Sequence, residues 1–201
     1  MRKGLTKEKI IDSAIQLLEG SGLKDFSVYR LAEKLGVSVS SLYKHVTNVD
    51  EINFEIALKT VEELILLQES AMEGKTRQEA VWAMASAFRE FAFSHPETFK
   101  MITILPGSYP ASSRNFRRHL MEPIKKAVGL YDISEDQRMH WLRILRSTMH
   151  GFVTYEMSAA DHEPELVNTQ ESYRIAITNI IFALESLEKA HLSRAKVLLK
   201  D

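Results

Sequence analysis

Cysteine is absent from this 201-residue chain. Disulfides, thiolate metal sites and thiol nucleophiles are therefore excluded. Long apolar runs are missing too. The longest uncharged stretch, Met101 to Ser113, contains Pro106 and Pro110 and is too short to span a bilayer. The apolar segment behind Arg2, Lys3, Lys7 and Lys9 is broken by Asp12, Gln16 and Glu19, so no secretory core is expected and the protein is read as cytoplasmic. Catalytic signatures are lacking: there is no P-loop, no G-x-G-x-x-G, no G-x-S-x-G and no H-E-x-x-H. His95, His119, His140, His150 and His162 show no i, i+4 pairing, so neither a metal nor another cofactor is expected, and the chain is not read as an enzyme.

What is present is apolar content, 45% of residues, and a patterned charge. The net charge of −1 argues against a purely electrostatic nucleic-acid coat. Its distribution says more. Residues 1–48 hold eight Lys/Arg against five Asp/Glu (+3), leaving eighteen against twenty-two (−4) for residues 49–201. A basic amino-terminal unit joins a mildly acidic remainder.

Periodicity and punctuation predict an all-α chain, with helices near 6–20, 27–34, 38–45, 50–73, 76–94, 96–105, 110–128, 134–160 and 168–190. Thr6, Ser27 and Ser38 can cap the first three through their side-chain oxygens. Gly20 and Gly22 stop the first, and Asp50 and Glu51 open the fourth near its positive end. Thr76 with Glu79, Ser134 with Gln137, and Asn168 with Glu171 have capping-box spacing. Pro96 and Pro110 suit first-turn positions, and Gly129 a helix end.

The stretch VYRLAEKLGVSVSSLYKHVT at 28–47 is the most informative. Ala32 lets two helices approach, Gly36 can take a positive φ in the turn, and Leu42 plugs the angle between them. Leu31, Leu35, Val37, Leu42 and Val46 then point inward, leaving Val39, Ser40, Ser41, Lys44 and His45 on the outer side of a short helix. That face suits a DNA major groove. An αα-corner in any helical protein can show the same offsets.

With Thr6, Ala14, Gly22 and Ser27 ahead of it, and LAEKLGVSVSSLYKHVTN at 31–48 followed by a long helix, the chain resembles the TetR/AcrR family of bacterial transcriptional regulators. The HPETFKMI and MHGFVTYEM segments look like the ligand and dimer domain of a branch with a Trp/His-Gly signature. The resemblance implies a three-helix helix-turn-helix head at 1–48 and a helical ligand-binding and dimerisation domain at 49–201. It implies phosphate contacts at Ser27, Ser38 and Tyr43, and groove contacts at Val39, Ser40, Ser41, Lys44 and His45. Two departures stand out. Val39-Ser40 replaces the usual Lys-Gly, and Asn48-Val49-Asp50 replaces a Ser-Lys-Glu start to the fourth helix. With a phosphate-binding lysine missing, a shallow salt dependence is expected.

In the remainder, the helix from 134 has one apolar face at Leu142, Leu145, Met149, Phe152 and Ala159 and another at Ile144, Thr148, Gly151 and Tyr155. The last helix is apolar on two sides as well. Helices of this kind bury one face within the subunit and the other against a symmetry mate, so a homodimer reading a palindromic double-stranded operator is expected. Trp82, Phe88, Phe91, Phe99, Met101, Trp141, Met149 and His150, with Met139 and Phe152 beside them, are the candidate lining for a small, largely apolar effector. The same side chains can equally be core. The function expected is a repressor released by such an effector; the alternative is a DNA-bound adaptor that engages a protein partner and has no small-molecule effector. The basic group Arg114, Arg117, Arg118, Lys125 and Lys126 is read as a solvated face, and residues 160–167 as a solvated loop.

Overall fold

A computed structural model describes residues 4–104, 118–159 and 169–198. Every regular element among them is helical: α1 (Lys7–Ser21), a 3-10 turn (Leu23–Asp25), α2 (Val28–Leu35), α3 (Val39–Leu42), α4 (Val49–Met72), α5 (Arg77–Ser94), α6 (Pro96–Ile104), α7 (Glu122–Gly129), α8 (Glu135–Ala159) and α9 (Thr169–Leu198). No helix among the described residues is long and apolar enough to cross a membrane.

The chain divides into two compact units. The first comprises residues 1–63 and 94–116. Its core joins Ile10, Ile11, Ala14 and Leu18 of α1 to Val28, Leu31 and Ala32 of α2, to Leu42 and Val46, to Ile52 and Ile56 of α4, and to Met101 of α6. Each of the larger side chains among them, taken fully out of water, contributes roughly 1.5–3 kcal/mol. This core thus extends past the expected boundary at residue 48. The first half of α4 and the distant α6 bury apolar groups in the same core, so the unit is discontinuous in sequence.

Carboxylates fasten its margins. Glu19 on α1 accepts the backbone N–H of Thr98 at 2.8 Å and its hydroxyl at 2.6 Å, satisfying donors in the first turn of α6. Glu97 reciprocates by accepting the N–H of Leu23 at 2.8 Å. Burial raises the Glu97 pKa, but bonds from Lys100 and Leu23 outweigh it and leave the carboxyl below its ordinary value. Lys7 donates to Glu51 and Glu55, both at 2.6 Å, and Lys59 pairs with Asp12, so α1 is laced to α4.

The second unit comprises residues 64–93 and 117–201. It buries Val81, Met84, Phe88 and Phe91 of α5, Ile124 and Val128 of α7, Leu142, Leu145, Met149 and Val153 of α8, and Tyr173, Ile177 and Leu184 of α9. Its interior also holds polar groups. Arg89 forms a two-pronged bond to Glu156 (Nε to Oε2, 2.9 Å; Nη2 to Oε1, 3.1 Å), and the Glu156 side chain is only 2% exposed. Tyr173 donates its hydroxyl to the Ala85 carbonyl at 2.7 Å, Gln68 donates to the Met84 carbonyl, and Glu188 accepts the N–H of Asp132. Burial pushes the Tyr173 phenol far above its ordinary pKa.

Most predicted punctuation is present. Thr6, Ser27 and Ser38 each accept the N–H three residues on. Ser134 accepts that of Gln137. Pro96 opens α6. Thr76 and Glu79 are joined through their backbones. The predicted third helix, 38–45, is shorter than expected: regular structure ends at Leu42, and His45 N bonds the Leu42 carbonyl in an i, i+3 turn. Of the predicted 110–128 helix, Glu122–Gly129 is described. Pro110, Asn168, Arg114, Arg117 and the 160–167 loop lie outside the described residues. Lys125 and Lys126 are exposed and paired with Glu122 and Glu69.

Candidate nucleic-acid interface

The turn between α2 and α3 is built on Gly36, which takes φ 65° and ψ 35°, a left-handed conformation that costs other residues roughly 1–2 kcal/mol. Its N–H bonds the Glu33 carbonyl at 3.0 Å, and the next N–H, of Val37, reaches back to Ala32 at 3.0 Å. This closes α2 in a Schellman-type cap. The chain reverses within two residues, and Ser38 begins α3 with Leu42 wholly buried beneath it. Residues flanking Leu42 are consequently held outward on a rigid support.

Ser40, Tyr43, Lys44 and His45 are exposed, and Ser41 is half-buried. The hydroxyls of Ser38, Ser40 and Ser41 are linked, with Ser38 Oγ 2.9 Å from Ser40 Oγ and 2.8 Å from Ser41 Oγ. Ser27 is half-buried and Ser38 exposed, each at the start of its helix. Val39 departs from expectation. It is half-buried and packs against the head's core, because the first turn of so short a helix lies close over α2, and this withdraws much of its side chain from the outer face.

The electrostatics also differ from the raw count of basic residues. Lys7 is engaged by two glutamates. Arg30 donates its Nη1 to the Asp25 carbonyl. Glu51 accepts from Lys7 and from the Thr47 N–H, and these bonds hold its carboxyl down to about 2. Asn48 Oδ1 accepts the Glu51 N–H at 2.8 Å, so Asn48 and Glu51 together cap α4. The Asn-x-x-Glu spacing that signals this cap is in the sequence, where Glu51 reads only as part of an acidic first turn.

Two groups that sequence reasoning passed over stand out. Tyr29 is 77% exposed on α2, and Lys34 is exposed in its last turn. Both follow from the inward positions Val28, Leu31 and Ala32, which leave the opposite side of α2 outward.

The predicted effector residues are divided between the two units. Phe88, Phe91 and Met149 are buried in the second unit, where Trp82, Trp141 and His150 are half-buried. Phe99 and Met101 belong instead to the first unit, and Met101 is packed into the head's core because α6 sits on α1. Burial, then the charge of Arg146, lowers the His150 pKa and favours the neutral ring. An open groove of about 470 Å³ in the second unit is lined by Leu66, Met72, Ala80, Lys126 and Leu130 among others, all outside the predicted set.

Residues 81–180 match the family described as "Tetracyclin repressor-like, C-terminal domain". Over 179 residues the chain is 26% identical to the HTH-type transcriptional regulator Rv0681 of Mycobacterium tuberculosis, covering 86% of this chain and 80% of the relative. It superposes on a single-site variant of TetR from Acinetobacter baumannii AYE, solved in complex with minocycline, with a TM-score of 0.68 at 20% identity, covering 92% of this chain and 99% of the other. The chain belongs to the TetR family. Its fold also matches BioQ solved on its double-stranded DNA operator, with a TM-score of 0.66 at 18% identity, covering 90% and 98%. This TetR-family protein is a DNA-binding transcriptional regulator.

Proposed function

We propose that this regulator is a homodimeric repressor, set on a palindromic operator through α3 and released by a small, largely apolar effector. The observation that carries the DNA reading is the Gly36 turn with Leu42 buried beneath it, beside which Ser40 on α3 and Lys44 and His45 in the turn that follows it are all exposed. Ser40 and Ser41 supply hydroxyls to base edges and Lys44 reaches guanine or phosphate. Ser27, Ser38 and Tyr43 contact phosphates, and Val39 contributes to the support of the helix as well as to its apolar edge. Replacing Ser40, Lys44 and His45 together by alanine abolishes specific binding to a duplex enriched by the wild-type protein from a random pool; an unchanged affinity would sink the assignment.

The dimer reading draws on exposed apolar groups on two adjacent helices. Ile144 and Tyr155 on α8, and Ile175 and Phe182 on α9, stand in solvent, with a shallow cavity of about 440 Å³ around Gly151 between Thr148 and Tyr155. A twofold mate covers this face in a four-helix arrangement. Sedimentation at micromolar concentration tests it, and a persistent monomer rejects it.

For the effector, the lining reduces to Trp82, Phe88, Phe91, Trp141, Met149 and His150, the part of the expected set that lies in the second unit. An effector shifts the equilibrium only by its difference in affinity for the two states. The adaptor alternative draws on how completely Phe88, Phe91 and Met149 are packed. A metabolite panel that raises the melting temperature and releases operator supports the effector; release by a protein and by no compound supports the adaptor.

A further inference from the structure

In a helix-turn-helix the second helix lies in the major groove while the first crosses the sugar–phosphate backbone. Here the first is α2, and its most prominent side chain is Tyr29. Tyr29 is the second residue of that helix, beside the capping Ser27, and no other large apolar side chain described in the protein is as exposed. A phenol at this place combines a hydroxyl donor with an apolar ring, and its direction is fixed by the buried neighbours Val28 and Leu31.

The charges nearby strengthen the case. Two cations of the head that could approach phosphates are already engaged, Lys7 by Glu51 and Glu55 and Arg30 by the Asp25 carbonyl. Position 49, at the start of α4, is a valine. The surface that faces a duplex is therefore furnished with hydroxyls, at Ser27, Tyr29, Ser38 and Tyr43, more than with cations.

We propose that Tyr29 is a DNA-backbone contact, its hydroxyl donating to a phosphate oxygen and its ring covering the adjoining deoxyribose, so that a neutral group grips where a cation would otherwise do so. This rests on the reading of α3 as the groove helix. A neutral donor gains from the phosphate charge without displacing a condensed counterion, which separates it from lysine in a salt titration.

The experiment measures Tyr29→Phe, Tyr29→Ala and Lys44→Ala against the duplex enriched by the wild-type protein, over a series of salt concentrations. Tyr29→Ala weakens binding by about tenfold and Tyr29→Phe by part of that. Both retain the wild-type slope of log K against log salt and the wild-type base preference, whereas Lys44→Ala flattens the slope by about one unit. Melting temperatures stay at the wild-type value, since the side chain is solvent-facing. Wild-type affinity in Tyr29→Ala overturns the proposal, as does an altered base preference in a repeat enrichment, which would make Tyr29 a base reader. The Ser40, Lys44 and His45 triple variant separates the two readings: if it too binds normally, the groove assignment of α3 has failed, not merely the role of Tyr29.

Discussion

The two units solve the same problem with different means. Among the described residues the head buries no charged side chain, only the bonded hydroxyls of Thr60 and Thr98, and it places its charges at the margins, where Glu19, Glu97 and Glu51 each satisfy backbone donors at a helix start or turn. The second unit takes polar groups inside, with Arg89 and Glu156 bonded to each other and Tyr173 bonded to a helix carbonyl. An apolar interior tolerates loss of one partner as loss of contact area. A buried pair does not, because the survivor remains a charge out of water.

That contrast can be broken by mutation, and the largest effect is expected at the pair. Glu156→Ala leaves Arg89 without its carboxylate and costs about 3–5 kcal/mol, while a double change of Arg89 and Glu156 to methionine recovers most of it; chemical denaturation of the three proteins checks this, and a fully additive double variant contradicts it. Leu42→Ala comes next, at about 2–4 kcal/mol from the head's core, and takes operator binding with it. Gly36→Ala, at φ 65°, costs about 1–2 kcal/mol, read as a lowered melting temperature together with weaker DNA binding.

The smallest effect is a pH dependence at Glu51. Its pKa of about 2 in the folded protein lies below its ordinary value of 4.5, so the unfolded chain binds the proton more readily. The stability it contributes is complete above 4.5 and is lost as pH falls toward 2. Glu51→Gln should be less stable at neutral pH and show a flatter acid limb over that interval; an unchanged limb would assign the acid sensitivity to other carboxylates.

The head is legible because its structure is set by residues near in sequence. Ser27, Gly36 and Ser38 act on the next turn of chain, and Leu31 and Leu42 follow from helical spacing. Val39 is less so, because a four-residue helix has no complete face, and its burial depends on how closely α2 lies. Residues 94–104 escape for another reason: nothing local ties Met101 to Ile10, and Glu19 caps a helix that begins more than seventy residues later. The aromatic and methionine positions of the second unit are recognisable as apolar, yet their division between units is a tertiary fact. Arg89 and Glu156, 67 residues apart, carry no periodic mark.

A further consequence attaches to α6. Grafting this head onto another regulator, or borrowing a foreign one, has to respect a module stored in two separated stretches of the gene. A chimaera joined after residue 48 would leave Ile10 and its neighbours without Met101, and Glu19 without the helix it tethers. The transplant with a complete interior carries residues 94–104 along with the amino-terminal segment.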